Sequence, residues 1–368
     1  MAEIRADHPC RPTELRELHR DGICEFYMTR SAALPEEIDS SVAAVRRSLG
    51  AATIAAECFG SRASDPLYNG YSGPLTWILG NSVTAGLGGL HLRGIRGAEL
   101  EPVVLDGRTV GTVVHGPHAS ECFLAGIRAE DTAASRKQQA EDTFRAIERA
   151  LETVEMDFSH VARTWLFLDD ILEWYSEFNA VRTAFFTERG VFDRLVPAST
   201  GIGGANPWGA AMMVGAYAIL PHDARVTVRA LPSPMQCPAL QYGSSFSRAV
   251  EVDLPGVRRV FVSGTASIDP DGRTAHVGDV RAQTALTCDV IAAILHSRGM
   301  GWEDVVRATA YVRHPEDAGV LEQHRCAEGL PELPVIVAHN TICRDDLLFE
   351  LEVDAVQTQT APAISRLP

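Results

Sequence analysis

Apolar positions along the second half of the chain follow two alternating periods, and the alternation occurs twice. Residues 139–155, QAEDTFRAIERALETVE, carry an apolar stripe at helical spacing. They run into FSHVARTWLFLDDILEWYSEFNAVRTAFF, which reads as a short strand followed by a second helix. Residues 281–298, RAQTALTCDVIAAILHSR, repeat the stripe and run into WEDVVRATAYVRHPEDAGVLEQHRCA. Pairing HVARTWLF with DVVRATAY sets Arg163 opposite Arg307 and Phe167 opposite Tyr311. Each copy closes on a further apolar stretch, GAAMMVGAYAIL in one and CRDDLLFELEVDAV in the other. Helices that must bury one stripe against a sheet give a two-layer α/β unit, here in tandem, each unit a mixed sheet with helices on one face. The stripes themselves need no explanation beyond a core.

The flanking regions are less regular. PEEIDSSVAAVRRSLGAATIAAECFG reads as helix-like, and GYSGPLTWILGNSVTAGLGGLHLRGIRG as loops around short strands. GRTVGTVVHGPHASECFLAGIRAED reads as strand, turn, strand. Between the two copies, the prolines of RVTVRALPSPMQCPALQYGSSFSRAVEV exclude one continuous central strand, and its arginines and serines suit a pocket. RRVFVSGTASIDPDGRTAHVGDV opens the last copy with a buried strand and a turn at DPDG. The resulting plan is a divergent α/β region over 1–115, a first clear unit with linker over 116–255, and a second unit over 256–368.

Charge narrows the function. With 33 Lys and Arg against 48 Asp and Glu the formal net charge is −15, and the basic face that collects nucleic-acid phosphates is not expected. A local basic pocket for a small anion is compatible with that balance. None of the eight cysteines forms a C-x2-C pair, so no metal or cofactor is expected. No apolar run approaches a membrane span, and MAEIRADHPCRP lacks the basic and apolar regions of a secretory leader. The expectation is a cytoplasmic chain with free thiols, without nucleic-acid or membrane partners.

The order FVSGTASI, HVGD, paired helices and a terminal strand carrying a carboxylate resembles the YjgF/RidA and chorismate-mutase-like fold. More specifically, VARTW, PASTGIG, YGSSFSRA, FVSGTASI, HVGDV and ICRDDLLFE, in that order over roughly 155–355, resemble the motifs of chorismatases, enzymes that cleave the enolpyruvyl ether of chorismate. The resemblance implies a small dianionic substrate, chorismate, and a catalytic acid at the glutamate closing ICRDDLLFE, Glu350. It also implies a product. Dihydrodiol producers of the family tend to have alanine at two positions where hydroxybenzoate producers have glycine and cysteine, here Gly264 and Cys343. That favours pyruvate with 3-hydroxybenzoate, with or without 4-hydroxybenzoate. The alternatives are hydrolysis to a dihydroxycyclohexadiene carboxylate, a RidA-like imine or enamine hydrolase, a chorismate mutase and a non-catalytic binding module.

The residues carry this chemistry in physical terms. Alternation in a strand puts Glu350 and Glu352 on one face, with Phe349 and Leu351 on the other. A general acid needs one positioned carboxyl, so Glu352 is expected to be structural or solvent-facing. Protonating the methylene carbon of an enol ether makes an oxocarbenium ion, which requires a carboxyl kept neutral by an apolar wall. Gly264 lets a ring approach the strand, and Cys343 is expected to select the product without thiolate attack. Arg163 and Arg248 are expected to bind the substrate carboxylates, with Tyr242 donating its phenol. Arg344 is expected beside the acid strand, facing the substrate or pairing with Asp346. Thr200, Gly201 and Gly203 suit either a backbone nest for a carboxylate or a plain tight turn. His276, His314 and His339 fall at no metal-ligand spacing and are read as structural. The internal copies suggest a monomer that stands in for a homotrimer.

Overall fold

A computed structural model of the protein describes residues 14–20, 22–31, 38–60, 73–80 and 87–358. Three mixed sheets succeed one another along the chain. The first contains β1 (Glu14–Arg20), β2 (Ile23–Ser31), β3 (Ala52–Phe59), β4 (Leu75–Ile78) and β5 (Gly89–Arg96), in the order β1-β2-β5-β3-β4, with α1 (Ile38–Leu49) before β3. The second contains β6 (Glu99–Leu105), β7 (Arg108–His115), β8 (Ala119–Ile127), β9 (Val161–Leu168), β10 (Ala198–Gly203) and β11 (Met212–Pro221). Its helices are α2 (Arg136–Glu152), before β9, and α3 (Ile171–Glu188), between β9 and β10. The third contains β12 (Thr227–Leu231), β13 (Ala249–Leu254), β14 (Val257–Ala266), β15 (Val305–Val312), β16 (Val335–His339) and β18 (Phe349–Thr358). Here α4 (Val280–His296) precedes β15 and α5 (Val320–Glu328) joins β15 to β16. The short β17 (Thr341–Ile342) crosses over to extend the second sheet at β10.

All three sheets share one plan. The last long strand of each copy, β5, β11 or β18, runs antiparallel between a hairpin strand and the strand after the first helix. That strand pairs in parallel with the next, β3 with β4, β9 with β10 and β15 with β16. A parallel pair needs a crossover, and α3 and α5 supply it in the second and third copies. The N-terminal region is therefore a further copy of the same unit. Its helix-like stretch divides: α1 ends at Leu49, Gly50 at φ +60° donates its N–H to Arg46 O (3.1 Å), and the chain turns into β3. The sheets part the chain between Arg96 and Glu99 and between Pro221 and Thr227, so the expected boundaries at 115/116 and 255/256 fall inside hairpins. The cause is that each of the later copies opens with an edge strand ahead of its hairpin. Pro232, Pro234 and Pro238 lie in the connection from β12 to β13.

The helices cover the outer faces. Phe144 of α2 stacks on Phe178 and Phe185 of α3, and Ile291, Ile294 and Leu295 of α4 meet Val353 and Leu351 of β18. The inner faces meet around Tyr27, Phe123, Tyr217 and Phe261. A buried ion cluster joins the copies there. Arg20 and Arg259 both reach Glu25 and Glu121, with Arg20 Nη2 2.5 Å from Glu121 Oε1 and Arg259 Nη2 2.5 Å from Glu25 Oε1. Charges buried this deeply constrain the relative orientation of the elements that carry them, because a shifted partner strands an unpaired ion. No helix among the described residues is long and apolar enough to cross a membrane.

Candidate active site

The acid strand β18 positions the site. Phe349 and Leu351 enter the core under α4, which turns Glu350 and Glu352 to the opposite face, toward the second copy. Glu350 lies in register between Ala266 of β14 and Tyr311 of β15. The register of β14 against β18 shifts between Val262 and Thr265, and Gly264 sits within that irregularity. A Cβ on Gly264 would run into Glu350 Oε1 and come within 3.0 Å of Thr200 Cγ2. Its φ is not positive, so glycine is required here for space rather than for backbone conformation.

Above Glu350 a cavity of about 530 Å³, including its open mouth, lies between the second and third copies. Gly264, Cys343 and Glu350 share its wall with Arg248, Arg344, Tyr242 and Gly201, all expected from the sequence. Arg248 is almost fully buried and donates from Nε and Nη2 to Cys237 O (3.0 and 2.8 Å). Arg344 donates to Gly272 O (2.9 Å), and Asp346 instead accepts from Thr274 Oγ1 (2.8 Å). Tyr242 lies between these two guanidinium groups, 5.3 Å from Arg248 Cζ and 5.2 Å from Arg344 Cζ.

The sequence reading missed Arg182 and Tyr175 of α3, which also line the cavity. The signal was present: Arg182 falls four residues after Phe178 and four before Phe186, a charge at a core-facing helical position. Its Nη2 donates to Asn179 Oδ1 (2.6 Å), while its Nε is buried without a hydrogen-bond partner among the described residues. The Tyr175 hydroxyl interacts with Arg182, Ser244 and Cys343, and burial holds it above the ordinary phenol range, as a neutral donor. Among the described residues, Arg182, Arg248 and Arg344 have no carboxylate partner.

Three expectations are corrected. Arg163 does not line this cavity: it is completely buried behind Glu350, where its Nη2 donates to Glu352 Oε2 (2.6 Å) and to Thr200 Oγ1 (2.6 Å). Glu352 is likewise fully buried rather than solvent-facing, and it accepts from Arg307 Nη2 (2.8 Å), Tyr311 OH (3.3 Å) and the Thr200 hydroxyl. The reason is the second copy, which covers the inner face of β18. Nor does STGIG form a nest or tight turn: Thr200, Gly201 and Gly203 are extended in β10, paired with β9 and β17. Thr200 lies beneath the cavity and accepts from Gly264 N (2.9 Å), so only Gly201 of the three lines it. His276, His314 and His339 are outside the cavity wall.

Burial, and then the charge of Glu352, lifts the Glu350 carboxyl to about 8 against the pull of Arg163, so it is protonated at neutral pH. Burial would also raise Glu352, but Arg307 and Arg163 outweigh it and hold that carboxyl below the ordinary glutamate range. Burial, aided by Glu350, pushes the Cys343 thiol up to about 12, which makes it a neutral thiol. The site thus pairs one neutral carboxylic acid with three guanidinium groups. Among the described residues the one metal-like grouping is Glu17, His19 and Cys24 on β1 and β2, and none of these touches the cavity.

The tandem α/β architecture and the sequence that forms it have counterparts among known proteins. Residues 108–214 match the family model for the chorismatase FkbO/Hyg5-like N-terminal region, and residues 239–357 match that of endoribonuclease L-PSP. A chorismatase from Streptomyces rapamycinicus is 33% identical over 223 residues, covering 54% of this chain and 64% of the relative, so the match spans less than two thirds of that protein. A 3-hydroxybenzoate synthase from Streptomyces hygroscopicus is 30% identical over 265 residues, covering 64% of this chain and 74% of the relative. The crystal structure of a chorismatase superposes with a TM-score of 0.65 at 20% identity, covering 82% of this chain and 92% of that one. The chain belongs to the chorismatase family.

Proposed function

We propose that the protein cleaves chorismate to pyruvate and 3-hydroxybenzoate, with or without 4-hydroxybenzoate as a companion product. The observation that carries this reading is the pairing of Glu350, neutral at pH 7, with Arg182, Arg248 and Arg344, which lack carboxylate partners among the described residues. Chorismate brings two carboxylates and an acid-labile enol ether, and guanidinium groups suit the first while a carboxylic acid suits the second. The substrate's own charge beside Glu350 further favours the protonated acid.

In this reading Glu350 gives its proton to the methylene carbon of the enolpyruvyl group, and the remaining carboxylate faces the oxocarbenium ion that forms. Water adds to that cation, and the hemiketal so formed collapses: the bond from its side-chain carbon to the ring oxygen breaks, pyruvate leaves and the oxygen stays on the ring. The neighbouring ring hydroxyl then departs as water with the proton released by that addition, and the ring carbon bearing the retained oxygen loses its proton, which restores the carboxylic acid at Glu350. Atoms balance without a co-reactant, because pyruvate and hydroxybenzoate together have the composition of chorismate. The neutral Cys343 thiol makes no bond in this route; it stands in the cavity wall beside Glu350, where its size and polarity bear on which product the ring gives.

Product analysis of the purified protein with chorismate, by chromatography and mass, tests the reading. Pyruvate with 3-hydroxybenzoate supports it, pyruvate with a dihydrodiol overturns the aromatising route, and no pyruvate overturns the activity. A Gly264→Ala variant is expected to shift the ratio of aromatic acid to dihydrodiol about tenfold or more toward the dihydrodiol, equivalent to about 1.4 kcal/mol between two barriers. The methyl group would push Glu350 and the ring apart. An unchanged ratio would remove Gly264 from product selection.

A further inference from the structure

Beneath the cavity floor lies the Glu352 cluster, which the proposed chemistry does not touch. Glu352 is fully buried two residues from Glu350 on the same face of β18, and four side chains from three strands converge on it. Arg163 of β9 takes one carboxylate oxygen together with Thr200 of β10, and Arg307 and Tyr311 of β15 take the other. Thr200 also receives the N–H of Gly264, so the same hydroxyl that fixes Glu352 fixes the strand against which the ring is seated. Hydrogen bonds to Glu350 itself are not found among the described residues, and its Oε1 instead fills the space that a side chain at Gly264 would occupy.

Each copy has a register irregularity on the strand after its first helix, and the residues immediately beyond it are Ala55, Arg163 and Arg307. Counting from there, Glu350 corresponds to Met213 and Gly89, and Glu352 to Gly215 and His91. The two glutamates occur together in the third copy alone. A buried ion pair contributes little net stability compared with apolar packing, so fold stability gives no reason for this pairing.

We propose that Glu352 is a positioning residue for Glu350: its locked carboxylate holds a fixed negative charge beside the acid and, through Thr200, places the Gly264 strand against the substrate ring. This deepens the proposed function and rests on it. The titratable and charged groups facing Glu350 are Glu352, Arg163 of β9, Tyr311 of β15, Tyr175 of α3 and Cys343 before β18. Across the cavity stand Arg182, Arg248, Arg344 and Tyr242. Of these groups, Glu352 supplies the negative charge that opposes ionisation of Glu350, and Arg163 the positive charge that favours it.

Two variants in the full chain test this. Glu352→Gln keeps the shape and removes the charge. Activity requires protonated Glu350, so kcat/KM falls as pH rises through its pKa, and the variant's alkaline limb is expected about one pH unit or more below that of the parent protein. A folded Glu352→Gln variant with an unmoved limb overturns the proposal. Glu352→Asp keeps the charge and withdraws it from Thr200. Its limb is expected to stay near the parent value while kcat falls about tenfold with KM nearly unchanged, and parental kcat overturns the positioning role even if the glutamine variant does not fold. Failure of the parent protein to release pyruvate would instead overturn the proposed function.

Discussion

Replacing Glu350 by glutamine is expected to reduce pyruvate release from chorismate by about 10²–10⁴-fold, the usual worth of a positioned general acid. The amide matches the carboxyl in size and hydrogen-bonding reach but has no proton to give at neutral pH. Because Glu350 is held protonated in its buried position, the substitution exchanges one neutral group for another. The folded state should therefore tolerate it, with the denaturant midpoint little changed. A coupled pyruvate assay and a denaturation curve on the same preparation check both halves. Loss of activity with loss of fold would leave Glu350 as a core residue, and retained activity would move the acid elsewhere.

The second large effect is expected at Arg163 and is opposite in kind. Arg163→Met leaves Glu352 buried with one guanidinium where it had two, and removes a donor to Thr200. Breaking a buried pair from one side typically costs about 3–5 kcal/mol, so a marked fall in the unfolding midpoint is expected. Measured at a temperature where the variant is still folded, KM for chorismate should rise little, because Arg163 does not reach the cavity. A tenfold rise in KM with parental stability would restore Arg163 as a substrate ligand.

The difference between these residues also explains what was legible in the sequence. Glu350, Gly264 and Cys343 were found because the ordered motifs that resemble the family fall on them, with strand alternation bearing on Glu350 besides, and all three line the cavity. The helix-strand-helix repeat was legible because α2, β9 and α3 match α4, β15 and α5 in order and spacing. Arg163 was misplaced because a motif and a dianion's need for guanidinium groups bring an arginine near the site without telling what covers it, and Glu352 because alternation tells which residues share a face of a strand but not what lies over that face. In this protein the second copy lies over the inner face of β18, so a face expected to meet solvent and substrate is an internal seam. The residues of STGIG were ambiguous because small residues suit turns, while here they let β10 pass close to Ile171 and Thr341. Arg182 was hidden in an otherwise apolar helix stripe. The first copy escaped because β4 has four residues and the segment leading to it carries no recognisable helix stripe.

The register that places Met213 and Gly89 where the third copy has Glu350 bears on how such a chain counts its ligand. A ring of identical subunits presents the same seam three times and can change none of them without changing all. Covalent linkage removes that restriction: one copy can carry an acid at this register position while the other two carry Met213 and Gly89 there. Titration of the protein with a substrate analogue should accordingly saturate at a single equivalent per chain, with a simple hyperbolic curve.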